Sequence, residues 1–344
     1  FSNWCDEILS SKPQEKQSNA AQGEVDKIQP GVASAAIEAR LEGLPIVSVS
    51  ADLQGSTGVK PFHEKFPGLS FDVGVAEANM ISTGIGLSKQ GFIPIIDTFS
   101  QFGTTKGNLP LIMAGLSEGP IVALFSHTGF QDAADGASHQ STTYFSAISS
   151  IPGVEVIALS SKEEAYHLVS LGLKRFYESK KSGQIPPSLV FFYGREKHPV
   201  SYGDFPYTWG KPQVLCEGNS LVLATCGPLI KHALKAKEIL KDIGYKITVV
   251  NHPFVNRPDL KIFEKTLKSN QNRLVTLEDH QVMGGMGSHL VHKLCQEGLQ
   301  FQSLSFGVSG EFGQSSYMAD HLYQKHGLDG ETIAPKIIKI FFDS

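Results

Sequence analysis

PIVALFS, residues 120–126, is an almost unbroken apolar run that opens on a proline and leads straight into the polar stretch HTGFQDAADGASHQ. Apolar residues at consecutive positions, without alternation, mark a strand buried on both faces. Outward along the chain the same kind of run recurs, with FIPII at 92–96 and IVSVS at 46–50 before it, VEVIAL at 154–159 and SLVFFY at 188–193 after it. Helix-like segments lie between them, among them Ala76 to Lys89 and Lys162 to Phe176. Strands buried on both faces need helices on both, and connections long enough for a helix make the neighbours parallel. Residues 28–195 are therefore expected to form an α/β domain around an open, mostly parallel sheet.

Residues 196–211 lose this periodicity and carry Pro199, Gly203, Pro206 and Gly210, the composition of a linker. A second unit is expected over 212–344. SLVLAT at 220–225 leads through a Gly-Pro turn into a helix from about Leu229 to Ile243, then KITVVN at 246–251. RLVTLED at 273–279 follows, and the glycines of QVMGGMGSHL open a helix to about Cys295. Repeated βα units with short connections again predict an open, mostly parallel sheet covered by helices. Ahead of both units, residues 1–27 read as a linker or tail, with a short amphipathic stretch from Trp4 to Leu9 and a polar segment from Ser11 to Asp26. The chain opens on Phe1 and not Met, which suits a processed, split or truncated product.

A length of 344 residues favours two domains. The net charge of -4 comes from 30 basic and 34 acidic residues that are scattered, without the basic stripe of a nucleic-acid binder. No apolar run approaches the roughly 18 residues of a membrane span. Cys5, Cys216, Cys226 and Cys295 form no CxxC pair, which suits a reducing compartment. Neither nucleic acid nor membrane is expected as a partner, and the cytoplasm is the expected location.

Ligands of open α/β sheets collect at the carboxyl ends of the strands. SADLQGS, 50–56, offers Asp52 and Ser56 there, which equally suit a capped turn. FDVGVAEANM, 71–80, sets Glu77 among Val75, Ala76, Ala78 and Met80 at a helix start. Such a glutamate is either a first-turn residue favoured by the helix dipole or a desolvated acid able to share a proton with a bound base. DTFSQF, 97–102, puts Phe99 and Phe102 after a strand, as core residues or as a wall for a flat heteroaromatic ring. SHTGFQDAADGASHQ, 126–140, gathers His127, Asp132, Asp135 and His139 in one polar connection, at a spacing that matches no zinc signature. QVMGGMGSHL lacks the third glycine of a dinucleotide fingerprint and reads as a tight strand-to-helix turn.

In this order, SADLQGS, GVAEANM, DTFSQF, DGASHQ, LEDHQVMGGMG and EFGQSS resemble the transketolase family, from about Gly31 onward. The resemblance implies a thiamine-diphosphate pyrimidine-binding domain followed by a transketolase C-terminal domain. It also implies roles. Glu77 would hydrogen-bond the aminopyrimidine ring of thiamine diphosphate and favour the tautomer that deprotonates the thiazolium. Phe99 and Phe102 would enclose the pyrimidine, and Asp52 and Leu53 would lie beside the thiazolium portion. Asp135 would contact substrate hydroxyls, and His139 the carbonyl or hydroxyl end of the sugar being cleaved. Ser56, His127 and Arg195 would hold the sugar phosphate, Arg195 through its fork of donors. The C-terminal domain receives no catalytic residue.

Departures from the family pattern are equally specific. No GDG motif with a following asparagine is found, and LDGE at 328–331 lacks that partner. The chain would therefore hold only the pyrimidine end of the cofactor, with magnesium supplied by the missing domain, and would be inactive alone. A pyrophosphate-domain subunit or the remainder of a longer parent chain would complete it, the whole enzyme being a homodimer. IQPGVASAAIEA, 28–39, has no basic residue where the family usually places a phosphate-clamping arginine. Recognition of sugar phosphates is expected to be weakened or altered, and Asp132 is left without a role. The implied reaction moves a two-carbon ketol unit from a ketose to an aldose. Alternatives are the β-type subunit of a 2-oxoacid dehydrogenase complex and a non-catalytic descendant of the fold. DGASHQ and the phosphate-position residues argue against the first, and an intact Glu77, Phe99, Phe102, Asp135 and His139 against the second.

Overall fold

A computed structural model describes residues 24–343. Its strands are β1 (Val25–Asp26), β2 (Ile46–Ser50), β3 (Ser70–Asp72), β4 (Ile93–Phe99), β5 (Val122–Ser126), β6 (Val154–Leu159) and β7 (Ser188–Tyr193). After them come β8 (His198–Pro199), β9 (Gln213–Cys216), β10 (Val222–Thr225), β11 (Thr248–Asn251), β12 (Arg273–Gln281) and β13 (Gln302–Val308).

Six of these make a fully parallel sheet in the order β3-β2-β4-β5-β7-β6. Every residue of β2, β4, β5, β6 and β7 is buried, which is why their sequences do not alternate. One face, with Ile93, Ile95, Val122, Leu124 and Phe191, packs on Val32 and Ala36 of the helix Gln29–Leu41 and on Leu168 and Val169 of Lys162–Lys181. The other face, with Ile96, Ala123, Phe125 and Phe192, packs on Met80 and Ile81 of the helix Glu77–Lys89. Phe99 is the last residue of β4, not a residue of the connection after it, because the strand runs three residues beyond FIPII.

The second sheet runs β13-β12-β10-β11-β9, parallel except for the edge strand β9. The helices Ile230–Asp242 and Gly330–Phe341 cover its outer face. Its inner face joins the core of the first sheet through Val222, Ala224 and Val250. Backbone hydrogen bonds seal the join, Val255 N to Val156 O at 3.0 Å and Ala158 N to Pro253 O at 2.8 Å. The glycine turn after β12 is filled from within. Glu278, buried, accepts from the amides of Met286 and Gly287 at the start of the helix Met286–Gln296, where an anion would otherwise sit.

Val25–Asp26 and His198–Pro199, assigned by sequence to a tail and a linker, pair as a two-residue antiparallel ladder. So short a pairing leaves no periodic trace. Most of the amphipathic and polar tail, and Cys5, lie outside the described residues. Among those described, Cys216, Cys226 and Cys295 are free, and no helix is long and apolar enough to cross a membrane.

Asp97 on β4 ties the loop after β2 to the sheet. It stands in register with Ser50, and its Oδ2 accepts from Ser50 Oγ at 3.0 Å and Thr57 Oγ1 at 2.6 Å. Full burial pushes its pKa up to about 7, the two hydroxyls only partly opposing the shift. A carboxyl whose pKa is raised by folding stabilises the fold when protonated. That contribution is complete below an unfolded value of about 3.9 and is lost as pH rises through about 7. Asp97→Asn, which escapes the ionisation, should gain stability over the parent chain between about pH 4 and pH 8, by up to a few kcal/mol. Thermal unfolding of both proteins across this range measures it; a difference that does not change with pH would contradict the assignment.

Candidate functional site

The carboxyl ends of β2, β4, β5 and β7 are neighbours, and each carries a residue singled out by sequence. In register, Phe99 faces Ser126 and Ser126 faces Tyr193, so Phe99, His127 and Arg195 stand in one row. Asp52 follows β2 at the row's other end. Asp52 and His127 both adopt left-handed backbone, with φ of 60° and 61°. Non-glycine residues rarely do so, and two of them at strand ends along one sheet edge fit a site whose geometry overrides local preference.

The aromatic rings form one continuous group. Phe99 stacks on the His127 imidazole with centroids 3.8 Å apart, lies 6.1 Å from Phe102, and Phe102 meets His139 edge-on at 5.2 Å. Phe99 is buried against His127, whereas Phe102 remains half-exposed, so Phe102 is the ring better placed to meet a ligand. His127 Nδ1 lies 2.7 Å from Ser126 Oγ. Burial, reinforced by the charges of Arg195 and Lys27, depresses its pKa to about 3, so the imidazole is neutral at physiological pH.

Glu77 opens its helix and is 8% exposed. Its carboxylate has no hydrogen-bond or ion-pair partner among the described residues. The apolar enclosure expected from its sequence neighbours is only half built. Met80 is buried, but Val75 is 80% exposed and Ala78 is exposed as well. The neighbouring helix Asn108–Leu116 likewise buries only Leu111 and Ala114 and exposes Leu109, Met113 and Leu116.

Asp135 and Ser56 are exposed, and Leu53 is half-buried with its amide on Ser50 Oγ at 3.3 Å. Among the described residues, Asp52, Ser56, Glu77 and Asp135 share no hydrogen bond or ion pair with the aromatic group. Arg195 does find a partner: its Nη1 lies 2.7 Å from Oδ1 of Asp132, whose side chain is fully buried. Burial raises the Asp132 pKa and Asp135 adds to this, while Arg195 opposes both.

Sequence reading missed how firmly the loop 126–140 is held. It is polar in composition, yet residues 126–133 are buried. The amide of Phe130 donates to both oxygens of Asp279 on β12, at 3.1 and 3.2 Å, and Tyr323 Oη donates to the same carboxylate at 2.6 Å. Gly129 is required here, since a Cβ would lie 1.9 Å from that carboxylate. An acid inside the apolar strand LVTLED was the available signal. The second domain thus positions the loop that carries His127 and His139. Asp279→Asn puts an amide donor against donors already present and should cost about 1–3 kcal/mol, with faster hydrogen exchange at the Phe130 amide. Unchanged exchange there would show that Asp279 does not hold the loop.

Residues 31–182 match the family model of the transketolase pyrimidine-binding domain, and residues 210–333 that of the transketolase C-terminal domain. The chain is 31% identical over 299 residues to a putative transketolase C-terminal section of Methanocaldococcus jannaschii, covering 86% of this chain and 90% of that one. It is 28% identical over 297 residues to the 1-deoxy-D-xylulose-5-phosphate synthase of Syntrophus aciditrophicus, covering 85% of this chain and 44% of that enzyme, so it spans less than half of the synthase. A solved split-gene transketolase, in an inactive β4 tetramer, superposes with a TM-score of 0.77 at 23% identity over 92% of this chain and 98% of that one, a likeness of fold. The chain belongs to the transketolase family and corresponds to that family's C-terminal half.

Proposed function

We propose that this chain supplies the pyrimidine-binding and sugar-binding part of a thiamine-diphosphate transketolase, completed by a polypeptide that carries the diphosphate and magnesium site. One observation carries the reading: the continuous ring group joins Phe102, the aromatic residue best placed to meet a cofactor ring, to His127 and His139. The residues present fit the pyrimidine end of the cofactor, with a buried, unpartnered Glu77 carboxylate on the helix next to the Phe102 segment. They do not fit the diphosphate end. Among the described residues no three His, Cys, Asp or Glu side chains converge as metal ligands would, and the helix start at Met286 is filled by Glu278.

When bound, thiamine diphosphate supplies the carbon nucleophile that carries a two-carbon unit from ketose to aldose. Glu77 would hold a proton at the pyrimidine ring nitrogen, and Phe99 and Phe102 would pack beside the ring. Asp52 and Leu53 would border the thiazolium side. Asp135 and His139 would orient the sugar hydroxyls about the bond that breaks, and neutral His127, Arg195 and Ser56 would meet the sugar's far end. The apolar edge left by Val75, Leu109, Met113 and Leu116 supports a partner there, since burying such residues is worth roughly 1.5–3 kcal/mol each. A homodimer of the completed enzyme follows from the same reading.

The likeness to bacterial 1-deoxy-D-xylulose-5-phosphate synthase supports a second reading with the same cofactor and a different product. Assembled with the diphosphate-binding polypeptide, the chain should form new ketoses from ketose donors and aldose acceptors; product formation only with a 2-oxoacid donor, which loses carbon dioxide and leaves a two-carbon unit without the hydroxyl, would favour the second reading. Glu77→Gln should lower turnover by roughly 10²- to 10⁴-fold with the fold intact by circular dichroism. Turnover at the parental rate would remove Glu77 from the chemistry. Phe102→Ala should weaken cofactor affinity by up to about tenfold, and an unchanged affinity would return Phe102 to the ordinary core.

A further inference from the structure

The far end of the sugar site has an unusual charge balance. Its histidine, His127, is neutral. The first helix, Gln29–Leu41, brings no cation to the site, because its one basic residue, Arg40, lies in the last turn and donates to Leu44 O. Arg195 and Lys27 remain, the two charges that act most strongly on His127. Lys27 is exposed and forms no ion pair among the described residues. Arg195 is engaged by Asp132.

That engagement is not a loose surface pair. Asp132 is fully buried, its backbone carbonyl is held by Gln140 Nε2 at 3.3 Å, and its loop is anchored through Phe130 to Asp279. The second oxygen, Oδ2, is buried without a partner, so Arg195 is the only side chain that hydrogen-bonds this carboxylate among the described residues. A phosphate that drew Arg195 away would leave a buried carboxylate alone, a far larger penalty than opening an exposed pair. With Asp132 set against Arg195, and with Ser56 and His127 neutral, the formal charge of the residues at the far end is zero. A dianionic phosphate group needs surplus donors and surplus positive charge. Hydroxyl groups need neither, and the remaining N–H donors of Arg195 and the neutral imidazole of His127 suit them.

We propose that Asp132 is a specificity-determining residue which, by engaging Arg195, adapts the site to sugars whose far end carries hydroxyl groups and no phosphate. This rests on the ketol-transfer reading above and narrows its substrate class to unphosphorylated sugars. Asp132 acts through Arg195, as a positioning residue, and not on the reacting carbons.

Two measurements test it. In the assembled enzyme, kcat/KM for ribose and for ribose 5-phosphate as acceptors is compared in the parent and in Asp132→Asn. The parent should use ribose at least as well as its phosphate ester. Asp132→Asn should raise the preference for the ester by about tenfold or more, chiefly through KM, the factor expected for one charge-assisted hydrogen bond regained. A parent enzyme that favours the ester more than tenfold overturns the proposal even if the variant fails to fold, and so does a variant with unchanged preference. The second measurement titrates inorganic phosphate into the chain, followed at the Arg195 guanidinium by NMR. Binding should tighten in Asp132→Asn, and equal affinity in both proteins would overturn the role of Asp132. Should no acceptor react at all, ketol transfer itself fails, while the phosphate titration still decides what Asp132 does.

Discussion

A parallel sheet ends all its strands on one side, and the site depends on that constraint. Because β2, β4, β5 and β7 are adjacent and in register, residues distant in sequence, Asp52, Phe99, His127 and Arg195, line one edge. The edge is rigid because the strands beneath it are buried on both faces and leave their residues no room to shift. On such a support a histidine in left-handed backbone is held stacked face to face on a phenylalanine.

The second sheet extends this logic without contributing to the row. Its buried acids are structural. Glu278 terminates its own helix turn, and Asp279 reaches across to the amide of Phe130. The price is desolvation, which pushes these carboxyls to about 8 and about 7. In exchange, the loop bearing His127 and His139 is fastened at its base while Asp135 near its tip stays in solvent. One loop can then combine fixed rings with an accessible carboxylate.

Much of this was legible in the sequence. The uninterrupted apolar runs predicted strands buried on both faces, and the βα repeats predicted two mostly parallel sheets. Residue types at the strand ends pointed to one edge, along which the fold sets Asp52, Phe99, His127 and Arg195. What could not be read were relations between segments far apart. Asp132 looked purposeless because its partner, Arg195, lies 63 residues away, after another strand. Asp279 is 149 residues from the amide it holds. Val75 and Ala78 seemed to enclose Glu77 because neighbours in sequence were taken as neighbours in space, yet a helix start turns successive residues to different sides. Lys27 fell in a segment read as a tail, although its charge reaches His127. Pairings of this kind carry no period and no motif, and only the folded chain reveals them.

The central claim is that this chain holds half of a cofactor site. The most direct measurement is a calorimetric titration of thiamine diphosphate and magnesium into the chain alone and into the chain assembled with the diphosphate-binding polypeptide. Binding only in the assembled protein is predicted. Tight magnesium-dependent binding to the chain alone, or no binding in either, would contradict it.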